Sequence, residues 1–342
     1  MSSPISVMTE DLAVTRHKWL VTGAAGFIGS HLVETLLAGG QDVVGLDDFS
    51  TGRMSNLEEV RAQVGPAAWT RYVLLEGDIQ DPAVCMQACE GVDYVLHHAA
   101  FVSVPLSMEK PDRTTWINVG GFANLLACAQ KAEVRRVVYA SSSAVYGDAS
   151  GPANRETRIG EPLSPYALSK QQNEMQGRLY SRSFGLSTVG LRYFNVFGPR
   201  QNAAGGYAAV IPLWLEATLR GEPCRIYGDG TATRDYCYVK DIVQANLLAA
   251  LTPLAKEHDG AAFNIGVSRP VSLLELHSTL REAIAEGAPG RAMLAPVREP
   301  MRPGDILHST ADVGSAGKIL GFHASYSLRA GLDEILHWRN SG

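Results

Sequence analysis

The segment Gly23-Ala24-Ala25-Gly26-Phe27-Ile28-Gly29 constrains this chain more than any other. It follows the strand-like run Trp19-Leu20-Val21-Thr22 and opens onto Ser30 to Leu37, whose apolar spacing is helical. Glycines at this junction remove Cβ atoms that would hold a bound group away from the backbone. The helix start supplies free N–H groups and the positive end of the helix dipole. Together these suit a pyrophosphate, so the segment predicts a dinucleotide site formed by Gly23, Gly26, Phe27, Ile28 and Gly29.

The pattern around this segment is consistent with that reading. Val43 to Leu46, Tyr72 to Leu75, Val92 to Leu96 and Arg136 to Tyr139 are short apolar runs, separated by amphipathic stretches such as Thr115 to Lys131. Such alternation predicts an α/β chain built on a parallel, doubly wound sheet of the Rossmann type. Beyond about Gly198 the pattern loosens. Loops rich in Gly, Pro and Asn separate helices expected at Val239 to Leu251, Ser272 to Ala285, Ala311 to Leu320 and Leu328 to Trp338. The expected organisation is residues 1–198 mainly for the dinucleotide, with 1–17 as an N-terminal extension. Residues 199–342 are expected to form mainly a smaller, mixed α/β substrate lobe, with pieces of chain crossing between the two.

The second strand run ends in Leu46-Asp47-Asp48. A carboxylate there accepts from a ribose 2′-hydroxyl and repels a 2′-phosphate, so Asp47 favours NAD over NADP. Asp78 and Ile79, after the third run, and Ala99, after the fourth, are expected along the same cofactor.

Bulk properties narrow the partners. A net charge of −5 gives no argument for nucleic acid or an anionic membrane. Five cysteines, at 85, 89, 128, 224 and 237, are too scattered for a disulfide framework, and no metal-ligand spacing is apparent. Met1 to His17 is polar, without the apolar core of a signal peptide, and no later stretch has the length of a bilayer span. A cytoplasmic location is expected.

The candidate chemistry lies at two places. Tyr166-Ala167-Leu168-Ser169-Lys170 follows Pro165, which suits a first helical turn, and residues four apart share a helix face. A neighbouring ammonium is expected to lower the phenol's pKa, making Tyr166 a base. The strand run from Arg136 continues into Ala140-Ser141-Ser142-Ser143-Ala144, which places the Ser142 and Ser143 hydroxyls beyond a strand's carboxyl end, where open α/β sheets bind ligands.

Glycine loop, strand-end aspartate, serine, tyrosine and lysine together resemble the extended short-chain dehydrogenase/reductase family. Leu191-Arg192-Tyr193-Phe194-Asn195, Arg234-Asp235-Tyr236 and Arg302-Pro303-Gly304-Asp305 are similar to that family's nucleotide-sugar segments. Leu163 to Ala167, Gly190 to Gly198 and Tyr207 to Pro212 resemble the bacterial UDP-N-acetylglucosamine 4-epimerases of surface-polysaccharide pathways. The resemblance implies Tyr166, Lys170, Ser142 and Ser143 as catalytic residues and tightly held NAD as cofactor. It implies a UDP-sugar substrate held by Ser103, Ser142, Tyr166, Asn195, Ala209, Val210, Arg234, Arg302, Asp305 and Ser309. Ser309 matches the position that gates the space beside the sugar's C2 substituent, where a small residue leaves room for an N-acetyl group. The related dehydratases carry Asp-Glu where this chain has Ser143-Ala144, so elimination at C6 is not expected. The run Val102-Ser103-Val104-Pro105-Leu106-Ser107 departs from the N-acetyl-preferring pattern, which leaves UDP-hexuronic acid 4-epimerase or decarboxylase activity as an alternative. A non-catalytic NAD-binding regulator is the alternative from a different class. A homodimer is implied, through a helix bundle that includes the Tyr166 helix.

Overall fold

A computed structural model of the chain describes residues 12, 14–149, 151, 153–203, 209–287, 293–301 and 307–341. In chain order it begins β1 (Lys18–Thr22), α1 (Phe27–Ala38), β2 (Asp42–Asp47), α2 (Met54–Trp69), β3 (Tyr72–Glu76), α3 (Pro82–Cys89) and β4 (Tyr94–His97). Next come α4 (Val104–Glu109), α5 (Pro111–Thr115), a π-helical turn (Trp116–Gly121), α6 (Phe122–Lys131), β5 (Arg136–Ser142) and a 3-10 turn (Ser143–Tyr146). The helix carrying Tyr166 is α7 (Pro165–Ser183), followed by β6 (Ser187–Tyr193) and β7 (Asn195–Phe197). The remainder is α8 (Val210–Leu219), β8 (Arg225–Tyr227), β9 (Thr233–Tyr238), α9 (Val239–Leu251), β10 (Ala262–Ile265), β11 (Pro270–Ser272), α10 (Leu273–Gly287), β12 (Val297–Glu299), α11 (Gly314–Leu320) and α12 (Leu328–Ser341).

The main sheet has seven parallel strands in the order β10-β6-β5-β4-β1-β2-β3. This is the doubly wound Rossmann order extended by one strand. Its strands are buried on both faces except at the edge strand β3, which is partly exposed, and the period of two decides which core each side chain joins. Trp19, Val21, Val43, Leu96 and Val138 pack with Leu32, Val33 and Leu36 of α1 and Ile242 of α9. Leu20, Val44, Val95 and Val137 point the other way, to Cys85 and Cys89 of α3 and Phe122 and Leu125 of α6. Each such fully buried side chain contributes roughly 1.5–3 kcal/mol. The apolar runs noted in the sequence have no polar alternation because both faces are covered.

Two small sheets stand apart from the main one, β11-β9-β7 and β12-β8. Their core gathers Phe197, Trp214, Ile226, Tyr238, Leu280 and Leu332. The chain crosses in both directions: β10 completes the large sheet from the C-terminal part, and β7 reaches from β6 into the three-stranded sheet.

Two local features differ from the pattern read in the sequence. Thr115 to Lys131 reads as one helix, but residues 116–121 form a π-turn before α6 begins. Asn118 within that turn donates from Nδ2 to Ser169 Oγ at 3.0 Å, and its carbonyl accepts from Asn173 Nδ2 at 2.7 Å, so contacts with α7 set the turn. Helix α11 starts at Gly314 rather than near Ala311, because Ala311 bridges to Asn154 and its N–H is taken by Asp235 at 3.0 Å.

Candidate active site

The β1–α1 junction is built by close backbone contact. Gly23 has φ +69°, a left-handed conformation that favours glycine, and a Cβ there would lie 2.8 Å from Ala99 N. A Cβ on Gly29 would lie 2.0 Å from Gly23 O, so the first turn of α1 rests directly on the strand end. Gly26 precedes α1 without any side-chain cap on the helix's first N–H groups. Phe27 opens the helix with its ring edge-on to His31, and Ile28 packs into the cores. Ala99 donates its N–H to Thr22 Oγ1 at 3.1 Å, fixing the end of β4 beside Gly23.

Asp47 ends β2 as the sequence suggests. It is buried, and its two oxygens accept from Ala25 N at 2.8 Å and Phe49 N at 2.9 Å. Burial raises its pKa, and these two bonds oppose the rise. Asp78 is turned to its own loop, accepting from Gln80 N at 2.8 Å, while Ile79 is buried against Gly121. The glycine cradle, the uncapped helix start and the strand-end carboxylate fit a dinucleotide with a free ribose 2′-hydroxyl.

Tyr166 lies in the first turn of α7, which Pro165 opens and Ser164 caps by accepting from Ala167 N at 3.1 Å. Ser107, fully buried on α4, accepts from Tyr166 N at 3.1 Å and ties the helix start to α4. The phenol faces the hydroxyl of Ser142, which ends β5 and caps the 3-10 turn that Ser143 begins. Lys170 is buried, with Nζ donating to Ala140 O at 2.8 Å and lying 5.8 Å from the Tyr166 ring centre. The expectation that Lys170 lowers the phenol's pKa needs correction. Burial raises the Tyr166 pKa, and it is the Ser142 hydroxyl that works the other way. Burial also brings the Lys170 ammonium down to about 8, with Glu174 opposing.

Ser142 is the register partner of Tyr193 on β6, and two residues further on Asn195 lines a cavity of about 380 Å³. Ala209, Val210 and Arg234 line it as well. Among the described residues, three arginines reach this cavity. Arg220 and Arg225 are paired with Glu222 and Glu299 at 3.3 and 3.2 Å. Among the described residues Arg234 bonds to carbonyls, of Thr233 at 2.9 Å and Leu307 at 3.4 Å, which leaves its charge unneutralised there. A guanidinium so placed suits phosphate oxygens.

The structure does not bring every candidate to this cavity. Ser103 caps α4, its Oγ accepting from Leu106 N at 3.2 Å. Ser309 is half-buried and donates its N–H to Thr233 O at 3.2 Å, beside Arg234 but outside the cavity lining. Arg302 and Asp305 lie outside the described residues. Arg192, read in the sequence within a sugar-holding run, is 1% exposed, paired with Glu174 at 2.7 Å and outside the cavity lining. Sequence reasoning missed Trp214, Tyr227 and Met301 in the lining. The Gly228-Asp229-Gly230 turn after a short apolar run was the available signal for β8 and Tyr227.

Residues 19–266 match the model of the NAD dependent epimerase/dehydratase family, and the chain belongs to that family. It is 36% identical over 321 residues to the UDP-glucose 4-epimerase of Mycolicibacterium smegmatis, covering 93% of this chain and 97% of that protein. Its structure is similar to that of the UDP-N-acetylglucosamine 4-epimerase from Methanobrevibacter ruminantium solved with UDP-N-acetylmuramic acid. The TM-score is 0.86 at 33% identity, covering 96% of this chain and 99% of the other. The UDP-glucuronic acid 4-epimerase from Bacillus cereus, solved with a fluorinated UDP-glucuronic acid and NAD, matches with a TM-score of 0.83 at 29% identity over 95% and 99% of the two chains.

Proposed function

We propose that this chain interconverts the C4 epimers of a UDP-sugar with tightly held NAD, and that its substrates are UDP-N-acetylglucosamine and UDP-N-acetylgalactosamine. The observation that carries the reading is the meeting of Tyr166, Ser142 and buried Lys170 at the end of β5. The 4-epimerase relatives support it. Gly23, Gly26, Phe27, Ile28, Gly29, Asp47, Asp78, Ile79 and Ala99 would hold the cofactor, mainly within residues 1–198, and residues 199–342 would mainly hold the UDP-sugar.

When bound, the nicotinamide supplies a reversible hydride acceptor for the sugar's C4 and a positive charge beside the phenol. The chain's own groups handle the proton. Ser142 holds the C4 oxygen, Ser143 stands next to it, and Tyr166 takes the 4-hydroxyl proton and later returns it. Lys170 keeps a positive charge beneath the phenol. Arg234 and Asn195 anchor the nucleotide in the cavity while the 4-keto sugar turns its other face inward. Ser143-Ala144 supplies no carboxyl group for elimination at C6, which favours epimerisation over dehydration.

The N-acetyl preference rests on Ser309, which follows the His308–Thr233 bridge beside Arg234 and whose small side chain would leave volume for an acetamido group. Ser309→Tyr should lower kcat/KM for UDP-N-acetylglucosamine about 10²-fold and spare UDP-glucose, since a bulky ring removes that volume. Equal losses on both sugars would sink the gate. The departure at Val102 to Ser107, where Ser103 is spent on capping α4, favours a second reading, a UDP-hexuronic acid 4-epimerase. Turnover of UDP-glucuronic acid alone would select it.

The homodimer belongs to the proposal too. Leu168, Met175 and Leu179 are exposed on α7 at helical spacing, and Trp116 is exposed on the π-helical turn that contacts α7. Light scattering should give twice the chain mass, and a monomer would remove this element. Among the described residues no helix is long and apolar enough to cross a membrane.

A further inference from the structure

Behind Lys170, the buried face of α7 carries a charged group that the proposed chemistry does not use. Glu174 stands one turn beyond Lys170 and two beyond Tyr166, so the three side chains share a face. Its carboxylate is buried and accepts from Ser141 Oγ at 2.6 Å and from Arg192 Nε and Nη2 at 2.8 and 2.7 Å. Ser141 and Arg192 are register partners on β5 and β6. The residues flanking Ser141 are Ala140, whose carbonyl takes the Lys170 ammonium, and Ser142, whose hydroxyl faces Tyr166. One helix face therefore grips three consecutive strand residues, and Glu174 holds the middle one.

Stability alone does not account for such a pair. Desolvating two charges offsets most of their attraction, and apolar residues of similar volume often serve as well. The pair is fixed in place on its far side. Arg192 Nη1 also donates to Tyr146 Oη at 3.0 Å and Glu156 O at 3.2 Å, and the Tyr146 hydroxyl donates to Asn264 Oδ1. The result is an immobile anion one turn from a buried ammonium whose other partner is a neutral carbonyl.

We infer that Glu174, held by Arg192, is a positioning residue that keeps Lys170 protonated beneath Tyr166 and fixes Ser142 against the phenol. The inference rests on the epimerase reading for its kinetic consequence. The direction of the electrostatics agrees, since burial brings Lys170 down to about 8 and Glu174 works against that fall. Among the described residues, the titratable and charged groups around the pair include Tyr166 and Arg178 on α7, Tyr139 on β5, His97 at the end of β4 with His98 just beyond, Arg192 on β6, Tyr146 in the 3-10 turn and Glu156. Burial holds both histidines neutral, and Ser107 of α4 and Asn118 of the π-turn are uncharged.

The test compares the pH dependence of kcat in the wild type, in Glu174→Gln and in Glu174→Gln/Arg192→Met. Removing the carboxylate removes the group that raises the Lys170 pKa, and an Arg192 left alone pushes the same way. The alkaline limb should therefore move about one pH unit towards acid in both variants. At pH 8.5 kcat should fall about tenfold, with KM changing less than twofold. The double variant leaves no unpaired charge, so it keeps the comparison available where the single variant does not fold. NMR of protein labelled at lysine Cε, with Lys170→Met to assign the signal, reads the same titration without turnover. A Lys170 midpoint moved to lower pH supports the inference even if the wild type epimerises nothing, in which case the functional reading alone fails. An unmoved midpoint, or a double variant with the wild-type profile, overturns the inference.

Discussion

Tyr166→Phe is expected to lower kcat about 10³-fold, close to 4 kcal/mol of transition-state stabilisation, while NAD stays bound. The phenol faces Ser142 at the end of β5, and Ser164, Pro165 and Ser107 fix the helix turn that carries it. The phenol ring contributes to the packing and its hydroxyl to the proposed chemistry, so the substitution removes one function and spares the other. Ser142→Ala should cost less, about 10–10²-fold, because the phenol remains. The measurement is steady-state epimerisation together with NAD released on denaturation. Near-normal turnover by Tyr166→Phe would remove the phenol from the mechanism.

The second large effect belongs to the cradle. Gly29→Ala should yield a protein without retained NAD and destabilised by about 1–3 kcal/mol. An alanine Cβ at this position would sit 2.0 Å from Gly23 O and 2.7 Å from Gly23 C, both backbone atoms that no side-chain rotation can move away. Relief requires α1 to lift from β1, which carries the helix's free N–H groups away from the proposed pyrophosphate position. Gly26→Ala should be milder, since its Cβ would meet Gly23 O at 3.1 Å. Gly120→Ala, with nothing within 4 Å, serves as the control. Cofactor content after purification and the thermal midpoint report the two consequences separately. Full NAD content in Gly29→Ala would contradict the cradle.

Much of this could be read from the residues because the information was local. A strand buried on both faces writes itself as an apolar run, and Trp19 to Thr22, Val43 to Leu46 and Arg136 to Tyr139 all lie within strands of the large sheet. Glycine spacing and the Tyr166–Lys170 interval are local as well, so the cradle and the pair on α7 were visible in the sequence. What stayed hidden depends on contacts between distant segments. The π-turn at Trp116–Gly121 is set by Asn173 and Ser169 of α7, about fifty residues away in the chain. Arg192 has the chemistry of a phosphate ligand, and only the β5–β6 register shows that it serves Glu174 instead. The direction of the Tyr166 pKa depended on burial, opposed by Ser142, and neither can be read from the four-residue interval to Lys170. The cavity is assembled from β7, α8, β8 and β9, and no short stretch of sequence contains it.

The most direct test is to incubate the purified chain with UDP-N-acetylglucosamine, adding no NAD, and to resolve the nucleotide sugars by chromatography. Appearance of UDP-N-acetylgalactosamine is the predicted result, since it requires C4 inversion, tolerance of the N-acetyl group and a retained cofactor at once. Absence of any C4 epimer from UDP-N-acetylglucosamine, UDP-glucose and UDP-glucuronic acid alike, even with NAD supplied, would contradict the account.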